Sequence, residues 1–120
     1  MGRWRVLIVD DEPLLARAMC AVLGDHHDVE YASSVAAARR RLGEDGGFDV
    51  VLCDVQLPDG NAGEVLDAFR AANPGGGGRF VMVTGGDEAF ARRLTGGDGP
   101  VLCKPFDLDQ LPALLAALIA

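Results

Sequence analysis

Four short apolar runs in this chain each end on a residue that can do chemistry. Arg5-Val6-Leu7-Ile8-Val9 ends on Asp10 and Asp11, Val50-Val51-Leu52-Cys53 on Asp54, Phe80-Val81-Met82-Val83 on Thr84, and Val101-Leu102-Cys103 on Lys104. Continuous apolar runs of this length read as strands buried on both faces, as in a parallel sheet covered by helices. If the strands are parallel, three carboxylates, a hydroxyl and an ammonium converge on the carboxyl edge of the sheet, where open α/β sheets hold their ligands. Carboxylates about 4–5 Å apart repel by roughly 3–4 kcal/mol per pair at an effective dielectric near 20, so a cation has to relieve them. Lys104 supplies one charge and a hard divalent ion supplies more. Oxygen donors without His or Cys select Mg²⁺ over zinc. Magnesium held in this way sits beside a phosphoryl group, and an aspartate can attack phosphorus to give an aspartyl phosphate.

Asp54 is the candidate reacting group. The ion and Lys104 would neutralise charge on the transferred oxygens, while Thr84 and the backbone N–H of Gly85 would hydrogen-bond one oxygen of the product. Each feature has a plainer reading when taken alone. Asp10-Asp11 is a helix cap, Asp54 a turn residue before Pro58-Asp59-Gly60, and Lys104-Pro105 a strand end. Their joint placement at four strand ends is what carries the chemistry.

The elements that must position these residues alternate along the chain. Strands are expected near 5–9, 28–32, 49–53, 79–83 and 101–103. After Asp10-Asp11-Glu12, Pro13 suits the first turn of a helix, and Leu14, Leu15, Ala18, Met19, Val22 and Leu23 recur at helical spacing until Gly24. Ser33 or Ser34 can cap a second helix with Val35, Ala38 and Leu42 inward and Arg39, Arg40 and Arg41 mostly outward, ahead of a Glu44-Asp45-Gly46-Gly47 loop. Val65, Leu66 and Phe69 mark a third helix over 62–72, ended by Asn73-Pro74 and four glycines. A fourth, near 87–95, is short, with Phe90 and Leu94 its only large apolar residues before Gly96 and Gly97. Asp107-Leu108-Asp109-Gln110 reads as a capping box for a last helix that turns Leu111, Leu114, Leu115 and Leu118 to the core. Five strands alternating with five helices predict a doubly wound parallel α/β sandwich.

The 120 residues are one domain, 1–120, with no output domain expected within them. A net charge of −7 argues against a nucleic-acid partner and suits a cation site. The longest apolar runs fall short of the roughly 18–20 residues that span a membrane, and the N-terminus does not read as a signal peptide, so the expectation is a cytoplasmic protein. Cys20, Cys53 and Cys103 lack metal-ligand spacing and read as small buried hydrophobes. His26 and His27 fall in a polar turn and read as solvated.

The set Val9-Asp10-Asp11-Glu12-Pro13, Asp54 with Pro58 four residues on, Thr84-Gly85 and Lys104-Pro105-Phe106 resembles the receiver domain of two-component response regulators over essentially the whole chain. The resemblance implies a CheY-like, flavodoxin-like (βα)5 fold with sheet order 2-1-3-4-5. It implies that Asp54 accepts phosphoryl from a phosphohistidine on a sensor histidine kinase or histidine phosphotransfer protein. By the same resemblance, Mg²⁺ is held by Asp11 and Asp54, by Asp10 largely through water, and by the backbone carbonyl of Gln56. Lys104 would pair with the phosphoryl group, Thr84 would be the switch hydroxyl, and Lys104–Pro105 a cis peptide. The change would be read through the fourth helix, fifth strand and fifth helix, making the protein a switch and not a turnover enzyme.

Two departures stand out. Many receivers carry an aromatic residue three positions before the lysine, and here that position is Val101. The stretch from Thr84 to Lys104 is compact and glycine-rich, and together with the Lys-Pro-Phe-Asp ending it resembles receivers attached covalently to hybrid sensor kinases. The competing reading is a pseudo-receiver that acts only by binding protein. A phosphoaspartyl hydrolase would want a second Asp where Gln56 stands. A flavin site would need a phosphate loop where Asp10-Asp11-Glu12-Pro13 would repel one.

Overall fold

A computed structural model describes residues 3–45, 47–96 and 99–119. Strands β1 (Arg5–Val9), β2 (Asp28–Ala32), β3 (Val50–Asp54), β4 (Arg79–Thr84) and β5 (Val101–Cys103) form one parallel sheet in the order β2-β1-β3-β4-β5. Between them run α1 (Pro13–Gly24), α2 (Val35–Asp45), α3 (Ala62–Ala72) and α4 (Glu88–Leu94), and α5 (Leu111–Ile119) closes the fold after a 3-10 turn over Leu108–Gln110. This is the expected doubly wound sandwich in its expected strand order.

Strand alternation splits the core into two layers. Leu7, Val9, Val51, Cys53, Phe80 and Met82 pack against α2, α3 and α4 through residues such as Ala38, Leu42, Val65, Phe69 and Ala91. Val6, Ile8, Val50, Leu52, Val81 and Val83 face α1 and α5, where they meet Ala16, Met19, Leu23, Leu111 and Leu115. The central strands are sealed on both faces, so the chemistry can open to solvent only where the strands end.

Several expectations shift in detail. The third and fourth strands run one residue further than the apolar pattern indicated, because the parallel ladder continues: Asp54 pairs in register with Val83, and Thr84 with Cys103. The two candidate site residues are therefore the last residues of strands, held by the sheet. Leu14 is 80% exposed while Ala16 is buried. The two are about 200° apart on the helical wheel, and the core face of α1 follows Ala16, Met19 and Leu23. Glu44 and Asp45 belong to α2 and not to the loop after it.

The last helix is entered through the 3-10 turn, with the Asp107 carboxylate accepting from the Asp109 N–H at 2.9 Å. Leu111 and Leu115 are buried and Leu114 half-buried as expected. The expectations for Gly46, Gly97 and the Leu118 side chain lie outside the described residues. Cys53 alone of the three cysteines is buried; Cys20 is half-buried and Cys103 exposed. His27 is buried, with its ring stacked on Trp4 at 4.8 Å and its Nδ1 accepting from the Trp4 N–H at 3.3 Å. A polar neighbourhood in sequence did not reveal that aromatic partner 23 residues away.

Candidate functional site

The end of β1 places Asp10 in the sheet's carboxyl edge with its residue only 2% exposed. One carboxylate oxygen accepts from the Glu12 N–H at 2.8 Å, and the other lies 3.4 Å from Lys104 Nζ. Asp54, at the end of the neighbouring strand, presents Oδ2 to the same ammonium at 3.4 Å. Lys104 arrives from β5 and is tied to the edge by its own N–H, which donates to the Thr84 carbonyl at 2.7 Å. The peptide bond between Lys104 and Pro105 is cis.

These groups border a cavity of about 610 Å³ lined by Asp11, Glu12, Asp54, Gln56, Thr84, Gly85 and Lys104, among others. Asp11 is exposed on its rim. Thr84 is buried, and its Oγ1 accepts from the Gly86 N–H at 3.1 Å. Every residue singled out for chemistry is thus either on this cavity or, as with Asp10, behind it in contact with Lys104.

Two participants were not legible in the sequence. Glu12 brings Oε1 to 3.1 Å from Lys104 Nζ, and Asp10, Glu12 and Asp54 each offer a carboxylate oxygen within 4.8 Å of the others. Asp59, in the loop after β3, accepts from the N–H groups of Val35 and Ala36 at 2.8 and 3.0 Å, and so caps α2 from outside that helix. Those two hydrogen bonds hold its carboxyl below the usual range. The expected cap is also present: Ser34 Oγ accepts from the Ala37 N–H at 3.1 Å. Asp59 thereby anchors the short loop that carries Gln56, whose two-residue ladder with Asn61 leads into α3. Asn61 in turn forms a capping box with Glu64.

The electrostatics are uneven. Burial raises the Asp54 carboxyl above its ordinary value; Lys104 pulls it down and Asp10 pushes it up, and the balance is upward. Burial works against the charge of Lys104, yet its hydrogen bond to Glu12 and the charges of Asp54 and Asp10 outweigh that and raise it. One ammonium faces three carboxylates, leaving two negative charges uncompensated. An all-oxygen donor set with that deficit, open to solvent on one side, fits a hard divalent cation of the magnesium type.

A family model for the response regulator receiver domain matches residues 6–116. The chain belongs to this family. The receiver is similar to the transcriptional regulatory protein TcrA of Mycobacterium tuberculosis, with 36% identity over 120 residues, covering 95% of this chain and 45% of that protein. It is likewise similar to the swarming motility regulation protein RssB of Serratia marcescens, with 33% identity over 116 residues, 94% of this chain and 52% of that one. This receiver spans about half the length of these curated relatives. Among solved structures, the CheY-like receiver domain protein of Methanospirillum hungatei superposes with a TM-score of 0.85 at 24% identity, covering 98% of this chain and 94% of that one. That likeness is one of fold. Among the described residues, no helix of the receiver is long and apolar enough to cross a membrane.

Proposed function

We propose that this receiver is a phosphoryl-accepting switch of a two-component phosphorelay, with Asp54 as the acceptor. The observation that carries the reading is the pairing of a cavity-lining Asp54 carboxylate with Lys104 Nζ at 3.4 Å, at the carboxyl edge of the sheet. An oxygen of Asp54 forms a bond to phosphorus as the bond to the donor's leaving group breaks, and the leaving group departs with the electron pair. The attacking carboxylate gives up no proton, and a phosphohistidine protonated on its other ring nitrogen leaves as neutral imidazole. Asp54 is suited to this because its side chain is only 13% exposed, so the carboxylate is poorly hydrated, while the ammonium of Lys104 favours its charged form. Lys104 can follow the new charge onto the phosphoryl oxygens, and Thr84 and Gly85 line the cavity, where the hydroxyl of the one and the N–H of the other could bond one of those oxygens.

Asp10 and Asp54, from the acidic cluster beside Lys104, would hold Mg²⁺ together with Asp11 and the Gln56 carbonyl from the cavity lining, while Glu12 stays on Lys104; the oxygen-only donors and the charge deficit around Lys104 support this. When bound, the ion supplies positive charge to the transferring phosphoryl group. The donor is a phosphohistidine on a kinase or phosphotransfer protein. The readout surface is the α4–β5–α5 face, whose α4 is only seven residues long.

Intact mass after incubation with acetyl phosphate and Mg²⁺ tests the reading. One added phosphoryl group, lost in Asp54→Asn and lost without the metal, is the expected result. An unmodified mass with both acetyl phosphate and a phosphohistidine donor would favour a receiver that acts by binding alone.

A further inference from the structure

Glu12 stands at the N-cap of α1, where a carboxylate ordinarily accepts from the free backbone N–H groups of the first turn. Its side chain makes no such cap bond. It reaches instead to Lys104, 92 positions along the chain, at 3.1 Å. That is the shortest of the three contacts around the ammonium; those to Asp10 and Asp54, at 3.4 Å, lie at the outer limit of a hydrogen bond. The Glu12 side chain is 61% exposed, against 13% for Asp54 and 3% for Asp10.

We infer that Glu12 is a positioning residue that holds Lys104 at the mouth of the cavity and releases it when a phosphoryl group arrives on Asp54. This rests on the phosphoacceptor reading given above. An exposed ion pair is weak and readily exchanged, because water solvates both ends. A phosphoryl group carries more charge than one carboxylate and offers several acceptor oxygens, so it displaces Glu12 as the partner of the ammonium. In the resting state Glu12 acts twice against transfer: it occupies Lys104, and its own charge on the cavity rim repels an anionic donor. Once Asp54 is phosphorylated, Lys104 has left Glu12 and the residue no longer matters.

The device therefore affects the formation of the aspartyl phosphate and not its loss. Glu12→Gln should raise the rate constant for phosphorylation by acetyl phosphate at saturating Mg²⁺ about three- to fivefold, the scale of removing one charge a few Å from an anion in water. The rate at which the phosphoryl group is lost afterwards should stay at the wild-type value. In metal-free protein, the Lys104 ammonium signal in ¹⁵N NMR should shift in Glu12→Gln and hold near its wild-type position in Glu12→Asp.

An unmoved ammonium signal would overturn the inference, as would slower or unchanged formation, or formation and loss changing together as they would if Glu12 held the metal. If the wild-type chain gained no phosphoryl group, the phosphoacceptor reading would fall, and the ammonium signal alone would still decide whether Glu12 positions Lys104.

Discussion

The two edges of the sheet treat charge in opposite ways. Toward the amino ends of β1 and β2, acids and bases are matched. Arg3 meets Asp28 at 3.2 Å, Glu30 is shared by Arg5 at 2.8 Å and Arg41 at 2.7 Å, and Asp49 accepts from the Arg5 N–H at 2.8 Å. At the carboxyl edge, three carboxylates share the single ammonium of Lys104. The matched edge holds the structure together and gains little from any further ion. The unmatched edge is held in place by buried strands on either side, and its deficit of positive charge is what makes it receptive to a cation and a phosphoryl group. Stability at the one edge and binding capacity at the other both come from carboxylates, which arginines match at the first and a single lysine undermatches at the second.

That contrast can be broken at either end. The largest effect is expected from Lys104→Met, which leaves partly buried carboxylates without their counter-charge; we expect a loss of about 2 kcal/mol in metal-free buffer. Millimolar Mg²⁺ should recover most of it, because a ligand that binds only the folded state stabilises it by mass action. Denaturant melts with and without the metal measure both numbers, and a loss that Mg²⁺ leaves untouched would sink the idea of an unmatched edge. At the matched edge, Glu30→Gln removes two partly exposed ion pairs and should cost only about 0.5–1 kcal/mol, with no difference between metal-free and Mg²⁺ buffers.

The smallest effect belongs to His27. Burial lowers its pKa, with help from His26 and Arg3 and against the pull of Asp28. The unfolded chain therefore takes up a proton before the folded one does, so stability falls as pH drops. The contribution of neutral His27 is complete above about pH 6.5 and is lost as pH falls through its lower folded value. Protonation of Nδ1 also removes the acceptor for the Trp4 N–H. His27→Asn, which keeps an acceptor and cannot titrate, should melt with a flatter pH dependence than the wild type between about pH 7.5 and 5.5. Parallel slopes for the two proteins would exclude His27 as the source.

What was legible in the sequence is the part of the architecture that depends on local pattern. Apolar runs ending on Asp54 and Thr84 announced buried strands, the run ending on Lys104 is an edge strand only half-buried, and together they marked a reactive edge from which the helix and strand order followed. What could not be read depends on placement across the fold. The Asp59 carboxylate caps α2 from 23 and 24 residues away. Nothing in Glu12 beside Pro13 distinguishes a helix cap from a partner of Lys104. Trp4 and His27 stack only because the start of β1 and the turn before β2 meet in space. The one-residue extension of β3 was hidden for the same reason: a polar Asp54 breaks the apolar pattern, but its backbone still pairs with Val83.

The central claim is that the phosphoryl group is carried by Asp54, and borohydride trapping tests it most directly. Reduction of an aspartyl phosphate converts that residue to homoserine, and peptide mass spectrometry of the protein treated with acetyl phosphate and Mg²⁺ locates it. The account predicts homoserine at position 54 and unaltered Asp10, Asp11 and Glu12. Homoserine at position 10 or 11, or 5-hydroxynorvaline (the reduced glutamyl product) at position 12, with Asp54 intact, would contradict it.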